Sequence, residues 1–303
     1  MFPFKSMGSV FTIDLGGVSQ VSSCGLALLL LRLRHLLSKN GKFYHVRESN
    51  NLKVRRLAAD LGFNRLLREG MASELTHHQQ DLDLDNEMEV PESGESASRG
   101  SKHFPIYKLR FSKGAPRRQG VDEFFDEVSQ RLSDLASRFL VRSNVILMIL
   151  REIAKNSADH TDGDAFFGMD LKTGGSNVSL SFVFADLGIG IKRHIEKHLP
   201  PELKRRRAKF DLAQAYRLAL TDGYSSGSLP VNRGFGLPII LDNANSIGME
   251  LSVYDANSRG ILTKLSAAKC PSHALVRRHF YTISHHAGFC YHGEIKLTKR
   301  LRT

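Results

Sequence analysis

A polar, acidic stretch in the first half of the chain separates two segments that are rich in apolar residues. Residues 73–103 offer almost no large side chain to bury, and they carry a run of alternating carboxylates at Asp81, Asp83, Asp85, Glu87 and Glu89. Such a composition is typical of a flexible linker. We therefore predict an α/β domain over residues 1–70, an acidic linker over 71–105 and a second domain over 106–303.

The bulk composition predicts a globular protein without a membrane span. Hydrophobic residues make up 41% of the 303 residues, which is enough to build a core. The apolar run over residues 26–37 is interrupted by Arg32 and Arg34, and it falls short of the ~20 residues that a span needs. The first residues also lack the pattern of a secretion signal, so we predict a cytoplasmic location.

The cysteines and the net charge restrict the function only weakly. Three scattered cysteines predict reduced thiols, and a metal site is the less favoured interpretation of the group His285, His286, Cys290 and His292. The net charge of +12 favours an acidic partner. Without interleaved aromatic residues, this charge leaves nucleic acid open as a partner but does not favour it.

The first segment predicts a small parallel α/β layer. Residues 10–15 are typical of a strand, and Ser22 and Ser23 are suited to cap a helix with inward-facing leucines. A second strand over residues 42–46 and a second amphipathic helix follow. The order strand, helix, strand, helix favours parallel pairing.

The second segment predicts three helices, a set of strands and two glycine turns. Apolar spacing indicates helices over residues 121–140, 143–160 and 237–247. Strands are predicted over residues 165–170, 178–185, 249–254, 260–265 and 289–297. The first glycine turn follows the strand over residues 178–185. The second comes before the helix over residues 237–247, which leads to the strand over residues 249–254.

Three short motifs in this segment carry residues suited to chemistry. On the helix over 143–160, Glu152 and Asn156 lie one turn apart, where a carboxylate can activate water and an amide oxygen can hold Mg²⁺ beside phosphates. Asp186 ends a strand and can accept an adenine amine, while Gly188 and Gly190 let the backbone pass close to a base.

The third motif is a second glycine turn. Gly234 and Gly236 come directly before a helix, whose N-terminus favours phosphate. Each motif alone has an ordinary structural interpretation as a solvated helix face, a capped turn or a helix start.

In this order and on these elements, the three motifs resemble the N, G1 and G2 boxes of the GHKL (gyrase/Hsp90/histidine-kinase/MutL) ATPase family. The resemblance implies a Bergerat-type α/β sandwich, a mixed sheet with helices on one face, that binds ATP with Mg²⁺. It assigns Glu152 as the water-activating base and Asn156 as the Mg²⁺ ligand. Asp186, Gly188 and Gly190 would form the adenine pocket, and Gly234 and Gly236 would face the phosphates.

The turn before the first helix resembles that of STAS domains, the fold of anti-sigma-factor antagonists. Ser23 matches the serine that partner kinases phosphorylate in that family, although Ser22 and Cys24 replace the usual neighbours. The resemblance makes Ser23 a candidate phosphoacceptor, beside its simpler role as a helix cap.

Together these resemblances favour an ATP-dependent regulatory switch or anti-sigma-type serine kinase that acts on a regulatory protein partner. The alternative is an ATP-hydrolysing clamp of the gyrase/Hsp90 type, which would act as a homodimer. A histidine kinase is less favoured because residues 121–140 contain no histidine. A module that has lost ATP binding is also disfavoured, because all three motifs are present.

Overall fold

The computed structural model describes residues 4–7, 10–40, 44–75, 104–111, 121–161, 163–174, 177–197, 212–219, 236–255, 260–263, 277–278 and 288–299. Two compact units are present. The first comprises Met1–Ile106 with Gly168–Asp170, and the second comprises Tyr107–Phe167 with Leu171–Thr303. Most of the predicted linker, residues 76–103, lies outside the described residues.

Among its described residues, the first unit combines three strands with three helices. In chain order these are β1 (Phe4–Met7), β2 (Val10–Asp14), α1 (Ser23–Asn40), β3 (Tyr44–Arg47), α2 (Leu52–Asp60) and α3 (Phe63–Leu75). The sheet order is β1-β2-β3, with β2 and β3 parallel and β1 antiparallel to β2. The parallel pair is the one predicted, whereas β1 and α3 were not predicted.

The helix α1 follows its sequence pattern. The Ser22 hydroxyl accepts the N–H of Gly25 at 3.1 Å, which satisfies one of the free donors of the first turn. The predicted inward-facing side chains are buried: Leu26, Leu29, Leu30, Leu33 and Leu37.

In the part of the second unit that the structure describes, the strands form an eight-stranded sheet. Its strands are β4 (Tyr107–Phe111), β5 (Phe139–Leu140), β6 (Gly163–Gly174), β7 (Asn177–Asp186), β8 (Glu250–Asp255), β9 (Gly260–Thr263), β10 (Arg277–Arg278) and β11 (Phe289–Lys299). The order is β10-β9-β8-β11-β7-β6-β4, and β5 pairs with β11. The late strand β11 lies between β7 and β8 and is antiparallel to both.

The helices of this unit are α4 (Val121–Ala136), α5 (Ser143–His160), α6 (Ile191–Lys197), α7 (Leu212–Ala219) and α8 (Gly236–Ser246). The prediction of a helix through residue 140 was wrong, because α4 ends at Ala136. The hydroxyl of Ser137 donates to the Asp134 carbonyl, an alternative to continued helical bonding. The next residues then pair with the end of β11 as β5.

Aromatic residues form much of the core in the second unit. Phe167 on β6 lies 5.1 Å from Phe124 and 6.3 Å from both Phe182 and Phe184, measured between ring centroids. The helix α5 buries one face, including Ile149. The chain is thus a mixed α/β protein with an antiparallel sheet, compatible with an α/β sandwich. None of the described helices is both long and apolar enough to cross a membrane.

Candidate functional site

A buried carboxylate lies at the C-terminal end of β7. Only 3% of Asp186 is exposed. Its Oδ2 accepts the hydroxyl of Ser157 at 2.6 Å, and its Oδ1 accepts the hydroxyl of Thr161 at 2.9 Å and the N–H of Gly188 at 2.7 Å. Burial raises the pKa of Asp186 above its ordinary value, while the three hydrogen bonds act in the opposite direction.

The turn after β7 needs glycine at both predicted positions. A Cβ at Gly188 would lie 2.5 Å from Thr161 Oγ1 and 2.6 Å from Asp186 Oδ1. Gly190 has a φ of +80°, and a Cβ there would lie 2.5 Å from the buried Asp255 carboxylate. The backbone therefore passes directly against two buried carboxylates. Close approach of the backbone to a ligand would also require glycine.

The predicted helix motif and the second glycine turn come together in space. The helices α5 and α8 pack against each other. A Cβ on Gly236, the first residue of α8, would lie 2.9 Å from Oδ1 of Asn156 and 3.4 Å from its Nδ2. The amide of Asn156 thus lies against the N-terminus of α8, the helix end that favours anions.

A buried tyrosine of the sheet lies near the Asn156 amide. Tyr291 on β11 is 2% exposed, and burial raises the pKa of its hydroxyl while a hydrogen bond from Asn156 lowers it. The charge of Asp186 adds to the increase. The neighbouring thiol of Cys290 likewise has a pKa raised by burial and by Asp186. Ionisation of the Tyr291 hydroxyl and the Cys290 thiol is therefore disfavoured.

Glu152 lies on α5 one turn before Asn156 and is half-buried. Lys155 is exposed. Gly234 lies outside the described residues, as do His285 and His286 of the candidate metal group. Among the residues that the structure describes, no three His, Cys, Asp or Glu side chains are grouped to hold a metal ion.

In the first unit, Ser23 is fully buried at the start of α1. Its hydroxyl donates to the carbonyl of Phe104, and its N–H donates to Asp170 of the same unit at 2.8 Å. The other Asp170 oxygen accepts the N–H of Cys24 at 3.0 Å. A carboxylate therefore neutralises the positive end of this helix.

The structure adds residues that sequence reasoning gave no role. Ser157 and Thr161 donate hydrogen bonds to Asp186, Tyr291 lies near Asn156, and Asp255 lies against Gly190. Ser157 and Thr161 follow the predicted Asn156 closely in the chain, so their position beside it was a usable signal. Nothing local in the sequence marked Tyr291 or Asp255.

No model of a known protein family matches the chain, and no curated protein matches it.

Proposed function

We propose that the second unit binds ATP with Mg²⁺ and acts as a nucleotide-dependent regulatory switch in the cytoplasm, as the resemblance to the GHKL family implies. The observation that carries the proposal is the convergence of all three motifs on one region. Asp186, Asn156 and Gly236 come from different elements, yet α5 contacts the other two through Ser157 and Asn156.

The Asp186 carboxylate fits an adenine amine. A carboxylate offers about four acceptor positions. Three of them are taken by Ser157, Thr161 and Gly188. The described residues leave one position for a donor such as the exocyclic amine.

The other end of the region fits phosphate and metal. The amide oxygen of Asn156 lies against the start of α8, where backbone N–H groups favour phosphate. Amide and phosphate oxygens are ligands that Mg²⁺ accepts. Glu152 lies one turn away as the base for a water molecule. When bound, ATP would supply binding energy for the switch and a transferable phosphoryl group.

The switch is favoured over transfer to Ser23 in this conformation. Ser23 is buried and its hydroxyl is engaged with Phe104, so phosphorylation would require that hydrogen bond to break. A serine on a regulatory protein partner is the acceptor that the kinase version would use instead. The ATP-hydrolysing clamp, with a homodimer, is the alternative outcome.

Calorimetry of ATP and ADP with and without Mg²⁺ tests the proposal. We expect Asp186→Ala to weaken ATP binding at least tenfold, because a hydrogen bond to a charged group contributes about 1.5–3 kcal/mol. We expect Asn156→Ala to remove the Mg²⁺ dependence while leaving Mg²⁺-free binding nearly intact. Phosphate release from the same samples then indicates an ATPase, and labelling of Ser23 indicates a kinase. Binding of ATP with neither result indicates a switch.

Asp164→Asn provides the matched control. Asp164 is a buried carboxylate in the same unit, but it lies on β6 and pairs with Lys108 at 3.5 Å. This variant should bind ATP like the wild type. An unmodified chain that binds no ATP, or equal losses in Asp164→Asn and Asp186→Ala, would contradict the proposed site.

A further inference from the structure

The strand β11 begins beside the buried carboxylate of Asp186. In the ladder between β7 and β11, Phe289 lies directly opposite Asp186. Residues that are directly opposite in an antiparallel pair project to the same face of the sheet, with their Cβ atoms about 4.5–5.5 Å apart. The ring of Phe289 therefore lies on the same face as the Asp186 carboxylate, which accepts a hydrogen bond from Ser157 of α5.

The residue before Phe289 is packed against the turn after β7. Gly288 has a φ of +82°. A Cβ there would collide with the carbonyl oxygen of Asp186 and would lie 3.3 Å from the Cα of Leu187. Two segments of backbone approach this closely because glycine has no side chain. This contact fixes the start of β11 against the turn that carries the proposed adenine pocket.

Buried carboxylates flank Phe289 on both sides. On the side away from Asp186, it lies directly opposite Asp255 of β8, which is fully buried and lies against Gly190. The ring of Phe289 is 6% exposed and contacts Tyr291 edge-to-face, with centroids 5.0 Å apart. A phenylalanine ring has no polar group, so it recognises a ligand through contact with its surface and not through a hydrogen bond.

We propose that Phe289 is a specificity-determining residue against which the adenine ring packs while Asp186 accepts the exocyclic amine. The inference rests on the proposed function and deepens it, because it adds an element that responds to the size of the base. Cytosine also carries an exocyclic amine that Asp186 can accept. Its single ring covers less of an aromatic side chain than a purine does, so Phe289 gives the site a preference for ATP over CTP.

The variant Phe289→Leu removes the aromatic ring and keeps an apolar side chain. Its affinities for ATP and CTP are measured by calorimetry. We expect the ATP affinity to fall about fivefold, which converts to about 1 kcal/mol, the lower end of the range for stacking of a base on an aromatic ring. The CTP affinity should fall at most about twofold. Asp186→Ala should instead lower both affinities, because both bases donate an amine.

Phe139→Leu is the matched control. Phe139 is also a buried phenylalanine of this sheet, but it lies opposite Lys299 at the other end of β11. It should leave both affinities unchanged. NMR of the wild type with bound ATP adds a readout that a purely structural role would not produce. We expect a nuclear Overhauser effect between the adenine H2 or H8 proton and the assigned ring protons of Phe289.

The outcomes separate the two proposals. A wild type that binds ATP, together with an unchanged ATP affinity in Phe289→Leu, overturns the role of Phe289 and leaves the ATP site standing. Equal losses for ATP and CTP show a structural role and also overturn it. A wild type that binds no ATP overturns both proposals. If Phe289→Leu does not fold, or if CTP binds too weakly to measure, the wild-type Overhauser effect decides: its presence supports the contact, and its absence overturns it.

Discussion

Among single residues, Asp186 is a buried carboxyl group at the end of a strand. Its three donors compensate only part of the cost of removing a carboxylate from water, since burial remains the largest influence on its pKa. A group of this kind lowers the stability of the fold at neutral pH. Proteins retain such groups where a ligand needs them, which is the role proposed for Asp186.

Asp186→Asn should therefore stabilise the protein increasingly as pH rises. Because the folded-state pKa of Asp186 lies above the unfolded value, the folded state binds the proton more tightly, and stability is lost as pH rises through the folded pKa. The asparagine variant does not titrate. Urea unfolding of both proteins between about pH 4 and pH 8 should show a difference in unfolding free energy that grows with pH.

The control for this comparison is Asp164→Asn. It removes the partner of Lys108 and should lower stability, because it leaves a largely buried ammonium without its carboxylate. A difference between wild type and Asp186→Asn that does not change with pH would contradict the assignment of a raised pKa.

Among the elements, the two turns with left-handed glycines allow a matched comparison. Gly190 and Gly248 have φ values of +80° and +67°. Alanine costs roughly 1–2 kcal/mol at either position for the backbone alone. A Cβ at Gly248 meets nothing within 4 Å, whereas one at Gly190 lies 2.5 Å from Asp255.

We expect Gly190→Ala to lose about 1–3 kcal/mol more than Gly248→Ala, because the Asp255 side chain or the turn must move. ATP binding should fall in Gly190→Ala and stay unchanged in Gly248→Ala. Denaturant unfolding and calorimetry measure the two effects. Equal losses of stability would mean that the turn after β7 tolerates a side chain.

The sequence predicts individual elements better than their arrangement. The bounds of α5 agree with the helix predicted over residues 143–160, because that pattern is local and α5 buries one face. The strand β11 was also predicted close to its position in the chain. Its place between β7 and β8 was not predicted, since alternation of apolar residues indicates a strand but does not select its partners.

The same limit applies to the site. The predictions of Asn156, Asp186 and Gly236 used residue types and spacing, and the structure brings these three residues into one region. The positions of Tyr291 and Asp255 depend on which strands are neighbours in the sheet. That information is non-local, and no pattern within a short window contains it.

For the whole molecule, bound ATP should protect the backbone of the second unit. A ligand at 100 times its dissociation constant stabilises the state that it binds by about 2.7 kcal/mol. We expect ATP with Mg²⁺ to slow amide hydrogen exchange most in α5, β7 and α8, measured by mass spectrometry. The control is Asp186→Asn measured with and without ATP, in which ATP should change the exchange less than it does in the wild type. Unchanged exchange in β7 of the wild type would contradict a site at its end.

The central position of β11 also has a consequence for synthesis of the chain. The strands β7 and β8 are made before β11, yet each has β11 as its neighbour. Until Phe289–Lys299 leaves the ribosome, the edge of β7 that pairs with β11 lacks this partner. Open strand edges can pair with other chains. The adenine end of the proposed pocket is therefore completed late, by residues about a hundred positions downstream of Asp186, and long-range pairing of this kind is slow to form.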